Sequence, residues 1–117
     1  MTQDDMHVVA YKILKYLDQT QKEGVPANFA SMKEAAACNE QYFQAVLDEL
    51  FDRGLIKGTP LKDMNGDIVK VFEPAITLVG ADYLENNSTM NKVAKAIGTA
   101  FGYALPGIIE VAKSMPL

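Results

Sequence analysis

The chain is predicted to be mainly α-helical with one small antiparallel β-hairpin. Three observations carry that prediction. Apolar residues recur at helical spacing through the first half, and an Asn-Gly pair then adjoins a β-branched run. Helical spacing returns over the last third.

Met6, Val9, Ala10, Ile13, Leu14 and Leu17 fall on one face of a first helix over residues 5–22, with Lys12, Lys15 and Asp18 outside it. Asp4 or Asp5 suits its N-cap, and Gly24-Val25-Pro26 stops it. Ser31-Met-Lys-Glu34 has capping-box spacing, which predicts a short helix over 31–37. Cys38-Asn39 breaks it. Asn39 then caps a third helix over 40–53, with Phe43, Val46, Leu47 and Leu50 as its stripe and Gly54 as its left-handed stop. Two helices joined by so short a break read as a helix-turn-helix.

Leu55-Ile56-Lys57 opens a different texture. Asn65-Gly66 predicts a hairpin turn in which both residues tolerate positive φ. Ile68–Phe72 is the better strand, ended by Pro74; the partner around Pro60–Met64 is poorer and is expected to be loose. Thr77 caps a fourth helix over 77–86, with Leu78, Ala81 and Leu84 on one side. Ser88 caps a fifth over 89–104, which Pro106-Gly107 should kink or break before a final segment reaching Met115. The predicted core joins Ile13, Leu14, Leu17, Phe43, Val46, Leu47, Leu50, Ile56 and Leu78.

Three helices followed by a hairpin is the order of a winged helix-turn-helix domain, here residues 1–87, with a C-terminal helical extension over 88–117. Val46-Leu-Asp-Glu-Leu-Phe-Asp-Arg-Gly-Leu-Ile56 resembles the end of a winged-helix third helix running into its wing. Ile76-Thr-Leu-Val-Gly-Ala-Asp-Tyr-Leu84 resembles the segment that often follows the wing, with Ile in place of its first Leu. With Ser88–Lys95 appended, residues 5–95 resemble the YjcQ family, small proteins of bacteria and their prophages. The resemblance implies the winged-helix fold and brings no catalytic residue set.

The 117 residues suit one core, at 49% hydrophobic and 22% charged. A single cysteine, Cys38, excludes an intramolecular disulfide and fits a reducing compartment. The N-terminus is acidic and has no apolar run, so no secretory signal is expected. No uncharged stretch reaches the length of a membrane span, and the expected location is the cytoplasm. Catalytic machinery is not expected. His7 is the only histidine, and neither it nor the Asp4/Asp5/His7 cluster offers a fixed ligand set. Asn39 and Glu40 supply no positive charge to activate Cys38. No cofactor or metal is expected.

Two binding roles remain. As a DNA-binding regulator, the chain would present the start of helix three to double-stranded DNA, with Gln41, Tyr42 and Gln44 near the bases and Lys33, Lys62 and Lys70 near phosphates. Against this stand a net charge of −4 and an isoelectric point near 4.9. So do Glu40, Asp48, Glu49 and Asp52 on the outward face of the same helix. As a protein-interaction module, the chain would use its long C-terminal stripe, with Val93, Ile97, Phe101 and Leu105 as a homodimer contact and Gly98 and Gly102 permitting close approach. Ile108, Ile109 and Val111 would extend that contact beyond the proline.

Overall fold

The computed structural model describes residues 5–114, with side chains through Glu110. Asp4, Val111 and Met115, which figure in the expectations above, lie outside the described side chains. The elements follow in the order α1 (Met6–Glu23), α2 (Phe29–Ala36), α3 (Glu40–Asp52), β1 (Ile56–Lys62), β2 (Ile68–Ile76), α4 (Leu78–Asn86) and α5 (Ser88–Ser114). The protein is mostly helical with one two-stranded antiparallel hairpin, an arrangement consistent with a winged helix.

Helix α1 contributes more buried side chains than any other described element. The Asp5 side chain caps it by accepting from His7 N–H at 2.7 Å, and this bond holds the Asp5 carboxyl below its ordinary range. Its buried set includes the predicted Val9, Ile13, Leu14 and Leu17, but also Val8, Tyr11, Tyr16 and Thr20. A helix buried around so much of its circumference must be covered from several sides. Helices α2, α3, α4 and α5 and strand β2 all pack against it.

Helix α2 begins two residues earlier than the capping-box reading places it. Asn28, not Ser31, is the cap: its side chain accepts from Ser31 N–H at 3.1 Å, while Ser31 itself is buried. The choice follows from α1, because the Tyr16 hydroxyl accepts from Asn28 N–H at 3.0 Å and fixes that residue outside the helix. Burial raises the Tyr16 pKa, so the phenol stays protonated.

The hairpin is better formed than expected. Strand β1 takes in Ile56 and Lys57 of the Leu55–Lys57 run and pairs from Ile56 opposite Ile76 to Lys62 opposite Ile68. Only Gly66 of the turn takes positive φ. Its N–H reaches Asp63 C=O at 3.0 Å, and the Asp63 carboxylate accepts from Asn65 and Asp67 N–H. This is a longer loop than a two-residue Asn-Gly turn. Pro74 does not end β2. It sits with Glu73 where the register slips opposite Gly58, a bulge that needs no ladder donor from proline. A second slip leaves Val69 as the extra residue and turns Ile68 inward.

Leu78 is the one predicted core residue that is not buried; it is 90% exposed. Gly80 takes the inward position instead. A Cβ there would lie 2.0 Å from Leu55 C=O, so only glycine lets α4 pack against the base of the hairpin. Thr77 completes the joint, donating its hydroxyl to Gly54 C=O at 2.6 Å and accepting from Gly80 N–H at 2.9 Å.

Helix α5 is capped by Asn87 rather than Ser88: the Asn87 side chain accepts from Thr89 and Met90 N–H. The helix also continues through Pro106 instead of breaking. Pro106 lies on the exposed face, and the carbonyl it leaves unpaired belongs to Gly102, also exposed, where water can replace the bond. On the opposite face Phe101, Leu105 and Ile109 are buried at intervals of four, and that burial offsets the proline.

Two substitutions test this packing by thermal or denaturant unfolding. Gly80→Ala should cost about 3 kcal/mol through overpacking against backbone. Gly102→Ala, at an open helical position with no neighbour within 4 Å, should instead stabilise by about 0.5–1 kcal/mol. In the core, Leu47→Ala should cost about 2–5 kcal/mol, whereas Leu78→Ala should stay within about 0.5 kcal/mol of the parent.

Candidate interaction surfaces

The start of α3 and the hairpin adjoin, and one side chain joins them. The Gln44 amide accepts from Ile68 N–H at 2.8 Å and donates to Ile68 C=O at 2.6 Å. It also contacts Glu40 at 3.1 Å. A group expected near the bases is therefore committed to holding β2. Lys33 is likewise engaged, in an ion pair with Glu40 across the helix-turn-helix. Lys33 and then Gln44 hold the Glu40 carboxyl below its ordinary range. Tyr42 is half-buried against the core. Gln41 is exposed, one turn before Gln44.

The rest of the exposed α3 surface is acidic. Glu40, Asp48, Glu49 and Asp52 face solvent, and Arg53, its single cation, pairs with Glu49 at 3.2 Å. The hairpin is electrically balanced, since Lys57, Lys62 and Lys70 are matched by Asp63, Asp67 and Glu73.

What distinguishes the hairpin is apolar exposure. Leu61 is 49% exposed, Phe72 46%, Val69 half-exposed and Met64 wholly so. The pairings Thr59 with Phe72 and Leu61 with Lys70 put Leu61 and Phe72 on one face, the outer one, while Val69 is exposed at the register slip and Met64 in the turn. Lys70 lies over the Phe72 ring, 5.0 Å from its centroid. Lys57 shares that face by alternation along β1, and neither lysine makes an ion pair among the described residues. Four large apolar side chains on one hairpin exceed the scatter expected of an ordinary surface.

A second surface is a cleft of about 270 Å³ between the start of α1, the end of α3 and α4. Ala10, Val46, Leu50, Leu55 and Tyr83 line it with apolar surface, and Glu49 and Arg53 stand at the α3 side.

The C-terminal stripe is used within the chain. Val93, Phe101 and Leu105 are buried and Ile97 is half-buried, with α5 against α1, α2 and α4. Phe101 meets Tyr11 edge-on, ring centroids 6.2 Å apart. The small residues of α5 divide: Gly98 approaches the Tyr11 hydroxyl, and Gly102 faces open space. Among the described residues no helix is long and apolar enough to cross a membrane, and no group of acidic, histidine or cysteine side chains is arranged to hold a metal.

Loss of the Gln44 amide should free the hairpin without unfolding the core. Gln44→Leu strips the Ile68 N–H and C=O of their partners and should cost about 1–3 kcal/mol. Amide exchange at Ile68 should accelerate well beyond exchange at Leu47. Equal acceleration at both sites would show that the hairpin and core open as one unit.

Comparison with known proteins returned no match among curated proteins and none among solved structures. The family model of the YjcQ protein matches residues 11–100, from the middle of α1 into α5, so it spans the helix-turn-helix, the hairpin and the α4 joint. The chain belongs to the YjcQ family.

Proposed function

We propose that this chain is a non-enzymatic winged-helix module that docks a protein partner through the outer face of its wing, β1 and β2. The observation that carries the reading is the exposed set Leu61, Val69 and Phe72 on a wing whose charges cancel. Phosphate contact calls for excess Lys and Arg, whereas protein interfaces bury aromatic and aliphatic anchors beside scattered charge. The α3 face supports the same choice. Its carboxylates repel a phosphate backbone, Gln44 is committed to Ile68, and Lys33 is neutralised by Glu40. The single cysteine supports action in the cytoplasm.

A second reading, a DNA-binding transcription regulator, is favoured by one feature. Exposed Gln41 lies near the wing that carries Lys62 and Lys70, a wing-led geometry for duplex DNA.

Titration of the protein into labelled random duplex DNA at low salt separates the two. The docking reading expects no shift. Binding that weakens with salt, and whose salt slope falls by about one unit in Lys70→Ala, would replace it with the regulator reading. Leu61→Ser combined with Phe72→Ser should leave the unfolding transition within about 1 kcal/mol of the parent, because both side chains are half-exposed.

A further inference from the structure

We propose that Asn65 is a site of self-modification: its side-chain amide cyclises onto the Gly66 nitrogen and becomes a carboxylate, so that the hairpin turn changes charge and shape as the molecule ages.

The chemistry needs an asparagine amide that is free to move and a following nitrogen that can be reached. Asn65 meets both needs. Residues 63–67 all face solvent, and the Asn65 side chain makes no hydrogen bond among the described residues. Gly66 has no Cβ to shield its nitrogen.

The other asparagines are held. Asn28, Asn39 and Asn87 are helix caps whose side-chain oxygens accept from Ser31, Tyr42 and Thr89 N–H. Asn86 donates to the Asp82 carboxylate at 2.7 Å. Asn91 is exposed but lies inside α5, where the following Lys92 N–H belongs to the helix ladder. Each of these is also followed by a residue with a Cβ, namely Phe29, Glu40, Asn87, Ser88 and Lys92.

The Gly66 nitrogen attacks the Asn65 Cγ. An N–Cγ bond forms, the Cγ–Nδ2 bond breaks, and the proton from Gly66 leaves with Nδ2 as ammonia. Water then opens the imide ring at either carbonyl. Opening at Cγ leaves an aspartate. Opening at the main-chain carbonyl leaves an isoaspartate, whose chain runs on through Cβ and Cγ. Nothing is oxidised or reduced, and water is the only other reactant.

Asp63 is the brake. Its C=O holds Gly66 N–H at 3.0 Å, and its carboxylate accepts from Asn65 N–H at 2.9 Å and Asp67 N–H at 3.0 Å. The ring closes only when Gly66 is released, so the rate follows local opening of the turn. The product changes the hairpin in two ways. Lys57, Lys62 and Lys70 now face one carboxylate more than Asp63, Asp67 and Glu73 supply. An isoaspartate also lengthens the main chain between Asp63 and Asp67, which the bonds around Asp63 do not fit. Gln44 grips Ile68 just beyond the turn, so the change is confined to the tip.

Incubation of the full chain in warm, mildly alkaline buffer, followed by peptide mass spectrometry, tests this. We expect the peptide holding Asn65 to gain the mass difference between an amide and an acid, as two isomers. Peptides holding the other asparagines should stay unchanged over the same interval. The intact chain should become more acidic on isoelectric focusing. Asp63→Ala should speed the conversion about fivefold, because it removes the acceptor of two turn bonds. Gly66→Ala should suppress it, even though alanine strains the turn at a φ of +84°. The inference is overturned if the Asn65 amide survives as long as that of Asn91, or if another asparagine converts first. A rate unchanged by Gly66→Ala overturns it as well, and one unchanged by Asp63→Ala removes the role given to Asp63.

Discussion

Burial of α1 is the constraint on which the rest depends. One 18-residue helix places eight side chains in the interior, spread around most of its circumference. No single neighbour can cover such a helix, so α2, α3 and α5 and the hairpin are each drawn to a different flank. Tyr16 and Tyr11 show how that burial is made specific. Each puts a large ring inside, and each hydroxyl meets a defined neighbour, the N-cap of α2 for Tyr16 and Gly98 of α5 for Tyr11. At Tyr16 a phenol serves better than a phenylalanine because its polar tip finds a partner, the Asn28 N–H, at the far edge of the core. The helix thus orients its neighbours as well as gathering them.

Much of this was legible in the residues, and the failures share a cause. Helices with a clear apolar stripe and a cap, α1 and α3, stand within a residue or so of their predicted bounds, and their stripes are core except at exposed Met6 and partly buried Ala10. The misplacements occur where a neighbour overrides local preference. Ser31 has capping-box chemistry, but Tyr16 secures Asn28. Leu78 has the right spacing for burial, but Leu55 C=O leaves room only for Gly80. Pro106 is a helix breaker, but it falls on the wet side of a helix held down by Phe101, Leu105 and Ile109. For the surfaces the limit is similar. Gln44 was visible as a polar residue on an outward-facing helix, and nothing local revealed that its amide meets a strand 24 positions away. The apolar wing face was hidden by the two register slips, which decide which of Ile68 and Val69 points inward. The cleft joins residues from α1, α3 and α4, and no spacing along the chain announces it.

The helix-turn-helix shape is often taken as a sign of nucleic-acid recognition, yet shape and charge part company here. The helix that would enter a groove carries its charges as carboxylates, and the cation bridging the two helices, Lys33, is spent on Glu40. A fold supplies a rigid frame, and the function belongs to whatever chemistry the frame displays. On this frame the display is apolar at the hairpin and acidic at α3.

The link between Gln44 and β2 involves only main-chain atoms of Ile68. An amide that grips peptide N–H and C=O is blind to the side chains further along the arm. The outward-facing positions of the hairpin are therefore decoupled from the mechanism that anchors it, and can drift in size, charge or hydrophobicity while the arm keeps its place. Such a joint lets the outer face of the hairpin be resculpted without rebuilding the scaffold, much as an interchangeable bit leaves the handle untouched.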